Sequence, residues 1–347
     1  MSIDRLFHLQ FGRDGGTERF FLRLAQAFHE EGITQEFAIR PGNEWRDQLA
    51  AFGSVQEGHF LRRTPTGLLQ AARLGGQIRR FAPDAILAWR APAARLIPNL
   101  PKAAKVLRLG DYPRHTRHFT HLDCIVGNTP PVLRHCRKIG WEGPLEIISN
   151  FPTQNPITPV ARARFDTPEE VFLICGAGRF FRTKGMDSLI RAAALCPDAW
   201  LWLVGDGEDR PMLEALVDEL GLRARTRFVG WVDRTTDYIA AADVFCVPSR
   251  EEPLGNVLLE GWASGVPVVT TRSEGPDWAA TDGKDALKTE IDDAAGIAQA
   301  IQRIADAPEL AAQLVAEGKA TLTREFSKDR IVSKYLTLFD AIRAGQL

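Results

Sequence analysis

Apolar positions along this chain follow two periods in alternation. RLFHLQF (5–11) is an apolar run of strand length that GRDGG breaks, and from Thr17 to Glu30 the residues Phe20, Phe21, Leu24, Ala27 and Phe28 fall at helical spacing. FAIR (37–40), DAILAW (84–89), KVLRLG (105–110) and CIVGN (124–128) predict further strands. Three prolines and two asparagines then crowd into ISNFPTQNPITP (148–159), the punctuation of a linker. The alternation restarts beyond it. VFLICGAG (171–178) predicts a strand entering a glycine turn, Met186–Leu195 a helix, and AWLWLVGDG (199–207) a second strand and turn before the helical PMLEALVDELG. RFVGWV, DVFCVPS and VPVVTT continue the series. FSKDRIVSKYLTLFDAIRA ends the chain as an amphipathic helix with Ile331, Tyr335, Leu338 and Ile342 along one side. Strands that alternate with helices predict an α/β protein of two doubly wound, mostly parallel sheets.

Composition adds bounds. At 347 residues the chain has the length of two domains, with 45% hydrophobic and 25% charged residues, the balance of a soluble globular protein. We expect no membrane-spanning helix, because no uncharged apolar run approaches the roughly 20 residues required, and no secretory signal in MSIDRLFHLQFGRDGG. A cytoplasmic location follows as the expectation. Cys124, Cys136, Cys175, Cys196 and Cys246 are odd in number and scattered, which predicts buried reduced thiols. The net charge of −1 conceals an asymmetry. Residues 1–160 hold 21 Lys+Arg, 14 Asp+Glu and all seven histidines, whereas 161–347 hold 22 and 30. Within 61–120 there are 12 basic residues against Asp84 and Asp111. The halves therefore face different partners, and the basic one suits an anionic acceptor or the anionic inner face of the cytoplasmic membrane, through residues 61–118. It lacks the interleaved aromatics of a nucleic-acid surface.

Candidate chemistry concentrates in SREEPLGNVLLEGWASGVPVVTT (249–271). The strand ending at Val247 turns at Pro248–Ser249, and Pro253 is placed to open a helix. The amides of Leu254, Gly255 and Asn256, with the helix dipole, would then make an anion site suited to a diphosphate. Glu252 and Glu260 could each grip a vicinal diol. GAGRFFRTKG (176–185) adds Arg179 and Lys184 after the first strand of the same half, cations that a leaving diphosphate needs when no metal neutralises it. The chain has no DxD sequence and no His/Asp/Glu ligand cluster, so no metal is expected.

These segments resemble the donor site of retaining two-Rossmann-domain (GT-B) glycosyltransferases, family 4 in particular. That family shows a G-R-x(n)-K-G loop, then E-x7-E with glycine at the fourth position, then G-x-P-V-V, and all three occur here in order. GGTER (15–19) is similar to the family's N-terminal glycine loop. The resemblance implies two Rossmann-like domains with the active site in the cleft between them: an acceptor domain over 1–155, a donor domain over 156–325, and helix 326–347 packing back towards the first. It implies a nucleotide-sugar donor, a UDP-sugar or else a GDP- or ADP-sugar, and no cofactor. Arg179 and Lys184 would neutralise the phosphates and Glu252 would contact the transferred sugar. Amides of Leu254, Gly255 and Asn256 would support sugar or phosphate, Glu260 would hold the ribose, and Gly15 and Gly16 would admit the donor. Leu254 stands where many members carry phenylalanine. On the acceptor side Asp111 is the expected polar residue, with His115 and His118 as rivals. Envelope-glycan or lipid-linked acceptors, lipopolysaccharide core among them, follow from the same resemblance. The alternatives are a GT-B epimerase or phosphorylase, a non-catalytic sugar-nucleotide binder, and a nicotinamide-dependent oxidoreductase. The last is disfavoured because Phe181 replaces the third glycine of its loop.

Overall fold

The computed structural model describes residues 3–12, 15–62 and 64–347. Arg13 and Asp14 of GRDGG, and Arg63 of the basic stretch, lie outside the described residues. The chain divides into two compact units, Met1–Phe151 with Lys328–Leu347, and Pro152–Ser327.

The first unit runs β1 (Arg5–Gln10), α1 (Gly16–Glu30), β2 (Thr34–Ile39), α2 (Arg46–Ala50), β3 (Gly53–Glu57), α3 (Pro65–Phe81), β4 (Ala85–Trp89), β5 (Ala104–Leu109), β6 (Cys124–Gly127), α4 (Pro130–Lys138) and β7 (Leu145–Ile147). Its seven strands are parallel in the order β3-β2-β1-β4-β5-β6-β7. Leu6 faces one apolar cluster with Phe20, Phe21 and Leu24 of α1, while Phe7 and Leu9 face another with Leu74 and Ile78 of α3. Both faces are covered, which explains why β4 and β5 are buried along their whole length and read as nearly unbroken apolar runs. His8 stacks on Phe37 and bonds Gln35 at 3.0 Å; burial pushes its pKa down to about 3, so it adds no charge to the basic half.

The second unit comprises β8 (Phe172–Ala177), α5 (Met186–Ala194), β9 (Ala199–Val204), α6 (Arg210–Glu219), β10 (Thr226–Gly230), α7 (Thr235–Ile239), β11 (Val244–Val247), α8 (Asn256–Ser264), β12 (Val268–Thr271), α9 (Glu274–Ala279), β13 (Leu287–Thr289), α10 (Ala294–Asp306) and α11 (Pro308–Phe326). Its six strands are again parallel, in the order β10-β9-β8-β11-β12-β13. The last helix, α12 (Lys328–Arg343), belongs to the first unit. Tyr335 and Phe339 pack on Phe28 of α1 at 6.0 and 6.5 Å, Lys328 pairs with Glu30 at 2.7 Å, and Arg343 with Asp84 at 2.8 Å.

The two doubly wound α/β sheets expected from the alternation are thus both present. Each reverses direction once, between β1 and β4 in the first and between β8 and β11 in the second. At such a reversal the connections leave to opposite faces, and the crevice beyond the strands' carboxyl ends is where open α/β sheets bind ligands. All five cysteines are buried and free. Burial raises their thiols, to about 12 at Cys124 and about 11 at Cys136, which leaves no thiolate for nucleophilic chemistry. No described helix is long and apolar enough to cross a membrane.

Candidate active site

The segments singled out in the second half emerge side by side at the β8/β11 reversal. After β8 the chain makes a short 3-10 turn, Arg182–Lys184, closed by Lys184 N–H donating to the Phe181 carbonyl at 2.7 Å. The Thr183 carbonyl accepts from Arg250 N–H at 2.8 Å and Glu251 N–H at 3.2 Å. This pair of bonds fastens the loop after β8 to the one after β11. Gly185 follows in the left-handed region, φ 64°, and a Cβ there would stand 2.0 Å from the Pro248 carbonyl oxygen. Only glycine fits this approach.

The consequence is that Lys184 reaches Glu252. Its ammonium forms an ion pair with Glu252 Oε2, and Ser249 Oγ lies 3.4 Å from the same oxygen. Glu252 is 8% exposed and Glu260 9% exposed, so neither is a solvated helix residue. An ammonium has three donors; Lys184 can keep Glu252 with one and offer two to an incoming anion. Arg179 is exposed, with its guanidinium 5.5 Å over the Phe181 ring.

The helix begins later than the proline suggests. Pro253 is not its first residue: α8 starts at Asn256, with Gly255 as N-cap at φ 82°. The Glu252 carbonyl accepts from Gly275 N–H at 2.8 Å, which ties Glu252–Gly255 against α9. The left-handed Gly255 then turns the chain into the helix. The amides of Leu254 and Gly255 belong to this approach segment and that of Asn256 to the first helical position, while Glu260 falls in the second turn.

A brace that the sequence concealed holds the loops together. Arg250 donates to both carboxylate oxygens of Asp187, at 2.8 and 2.7 Å, to Asp292 at 2.6 Å, and to the Arg182 carbonyl at 2.6 Å. Desolvation is the largest single influence on the Asp187 carboxyl and pushes it up, but the Arg250 hydrogen bond, the Arg250 charge and a backbone hydrogen bond together hold it below its ordinary range. The same guanidinium lowers Asp292. Among the described residues, no group of three or more His, Cys, Asp or Glu gathers as metal ligands would.

In the first unit, Gly15 precedes α1 at φ 151° and ψ −174°, and its carbonyl accepts from Arg19 N–H at 3.1 Å; Gly16 is the first helical residue. Asp111 follows β5 and pairs with Arg90 at 3.2 Å. His115 and His118 pack edge to face at 5.5 Å on the next loop. Arg90, directly after β4, carried no sequence signal.

Two parallel-sheet units, one presenting a cation loop beside a glycine-capped helix at its reversal, define a glycosyltransferase that uses a nucleotide-sugar donor. Residues 158–321 match the family model "Glycosyl transferases group 1", and the chain belongs to that family. It is 43% identical to the lipopolysaccharide core biosynthesis glycosyltransferase LpsD of Rhizobium meliloti, over 97% of this chain and 98% of that one, and 42% identical to LpsE of the same organism, over 96% and 98%. Among solved structures it is similar to Anabaena HepE in complex with UDP and glucose, with a TM-score of 0.80 at 19% identity over 98% of this chain and all of that one, a likeness of fold.

Proposed function

We propose that this chain transfers a sugar from a UDP-sugar to a lipopolysaccharide core acceptor, with retention and without a divalent ion. The observation that carries the donor site is the Lys184–Glu252 contact at the β8/β11 reversal. There a cation meant for phosphate touches a carboxylate meant for sugar hydroxyls. In this reading Lys184 and Arg179 grip the diphosphate with the amides of Leu254, Gly255 and Asn256. Glu252 orients the transferred sugar, and Glu260 accepts from the ribose hydroxyls. As the bond from the anomeric carbon to the diphosphate oxygen breaks, its electron pair leaves with the diphosphate, whose growing charge the two cations meet. The acceptor hydroxyl attacks from the side of the departing group and passes its proton to it. Asp111 faces the acceptor, with His115 and His118 beside it, and Gly15 and Gly16 give the donor room. Support for the donor's base comes from HepE, whose complex holds UDP and glucose, and for the acceptor from LpsD and LpsE, named for lipopolysaccharide core biosynthesis.

The test is thermal unfolding with UDP, UDP-sugars, GDP and ADP in turn, with and without EDTA. UDP at 100 times its Kd stabilises the fold by about 2.7 kcal/mol, and chelation leaves the shift unchanged. A shift that requires magnesium or manganese defeats the metal-free reading, and no shift with any nucleotide defeats the donor site.

The acceptor's lipid suggests where the protein works, at the inner face of the cytoplasmic membrane. Helix α3 turns Leu68 and Leu69, 63% and 52% exposed, outward with the exposed Arg73, Arg79 and Arg80; the exposed Arg62 precedes the helix, and residues 58–83 contain no acid. Near an anionic surface each Arg contributes about 1 kcal/mol. The protein is expected to co-sediment with vesicles rich in phosphatidylglycerol, to be released by salt, and to lose binding in Leu68→Ser/Leu69→Ser. Equal binding to neutral phosphatidylcholine vesicles would count against this.

A further inference from the structure

Arg90 directly follows β4 at the reversal of the first sheet, and its backbone lies where residues with a side chain rarely go. Its φ is 69° and its ψ 150°. Ala82 and Asp166 also have positive φ, but with ψ of 62° and 43° they sit in the ordinary left-handed region. The Arg90 pair approaches a region that glycine nearly monopolises, and strain of this kind gathers at ligand sites. The conformation is pinned by Arg90 N–H donating to the Arg108 carbonyl and by Ala93 N–H donating to the Arg90 carbonyl, both at 3.1 Å. Glycine would meet the backbone's needs with less strain, so the reason for arginine lies in its side chain.

That side chain is 46% exposed and spans two carboxylates, Asp111 at 3.2 Å and the buried Glu18 of α1 at 3.9 Å. A partly exposed ion pair stabilises a fold little. Behind it stands a second guanidinium. Arg108 is 1% exposed, its guanidinium 4.9 Å from the centre of the Phe20 ring and 5.2 Å from that of Trp89, and it bonds Asn150. Arg108 Nε, Asn128 Oδ1 and Gln10 Nε2, all on buried residues, meet no hydrogen-bond partner among the described residues. Three side chains also converge on Gly110: a Cβ there would lie 2.7 Å from Arg108 Nη1 and 3.5 Å from both Asn128 Nδ2 and Thr17 Oγ1. Buried polar atoms left without partners need a polar ligand or water.

The charges alternate, two guanidinium groups with two carboxylates, and sum to zero. A phosphate calls for surplus positive charge. A sugar's hydroxyls each donate and accept, and an array of neighbouring donors and acceptors matches them. We propose that Arg90, with Glu18 and Asp111, holds vicinal hydroxyls of the acceptor sugar and sets which hydroxyl is presented for transfer. This rests on the reading of the chain as a transferase onto a glycan. It places the acceptor's phosphates away from Arg90.

Arg90→Gly and Arg90→Ala test it together, because both delete the side chain but only glycine relieves the backbone. Transfer is measured to core-truncated lipopolysaccharide oligosaccharide, before and after dephosphorylation, beside calorimetric UDP affinity and the unfolding midpoint. Both variants raise the acceptor KM about tenfold or more, a loss of about 1.4 kcal/mol, by the same factor on both acceptors and with UDP affinity unchanged. Arg90→Gly unfolds no lower than wild type and above Arg90→Ala. Wild-type KM in Arg90→Gly overturns the proposal. So does a penalty that vanishes on the dephosphorylated acceptor, which would assign the contact to phosphate, or a fall in UDP affinity, which would assign it to the donor. Failure of the donor reading shows separately, as wild-type protein that binds no UDP.

Discussion

Replacing Lys184 with alanine lowers sugar transfer by roughly 10²-fold or more, the scale on which removal of a preorganised charge stabiliser acts. The effect should fall on kcat as well as on donor KM, because charge on the leaving diphosphate grows as the glycosidic bond breaks and the ammonium interacts most strongly at that point. Removing the ammonium also strands Glu252, which is 8% exposed and loses its ion-pair partner. Part of the loss is therefore misorientation of the carboxylate that would hold the sugar. Steady-state kinetics of Lys184→Ala beside Arg179→Ala separate the two contributions. Arg179 is exposed and, among the described residues, pairs with no carboxylate that its deletion would strand, so a similar fall in Arg179→Ala reports charge alone. Wild-type rates in both variants would remove the donor assignment.

Gly185→Ala is expected to abolish most transfer while leaving every polar side chain in place. The added Cβ would sit 2.0 Å from the Pro248 carbonyl oxygen, a backbone atom that cannot swing aside, at φ 64°. Left-handed strain of roughly 1–2 kcal/mol and overpacking of about 1–3 kcal/mol add to a destabilisation of about 2–5 kcal/mol. The cheapest relief is to part the loops after β8 and β11, which pulls Lys184 from Glu252 and breaks the Thr183 carbonyl contacts. Gly221→Ala is the control: its φ is 68°, but nothing lies within 4 Å of the added Cβ. It bears the strain without the collision, and should lose a little stability and no activity. Equal stability and activity in the two variants, by thermal unfolding and transfer assay, would show that the approach of the loops is unimportant.

How far the sequence exposes this architecture depends on burial. Strands covered on both faces, such as AILAW and VFCV, carry nearly continuous apolar runs and stand out in the pattern. β3, β7 and β13 leave no such trace: all three lie at sheet edges, β3 and β7 with part of their length in solvent and β13 with only three residues. The donor motifs were legible because their residues lie close together in sequence, Arg179 and Lys184 on the loop after β8 and Glu252 to Glu260 on the loop and helix after β11. The start of α8 was not, because the preference of proline for a helix's first position yields to the left-handed Gly255 that turns the chain. The Arg250 brace was hidden for another reason: its carboxylates lie 63 and 42 residues away in sequence, and nothing local marks them as partners. Arg90 shows no sign in composition or spacing, since its distinguishing property is a dihedral angle.

The return of α12 to the first unit also has a consequence for how the protein is made. Residues 152–327 have all their strands and helices once the ribosome has passed Ser327. The unit encoded first still lacks Ile331, Tyr335, Leu338 and Phe339, which belong to one of its two apolar clusters. Translation therefore reverses the usual order in which an N-terminal domain is finished first. Until residues 328–347 emerge, Phe28 of α1 lacks its contacts with Tyr335 and Phe339, and a nascent chain stalled before them presents that surface to chaperones or to other chains.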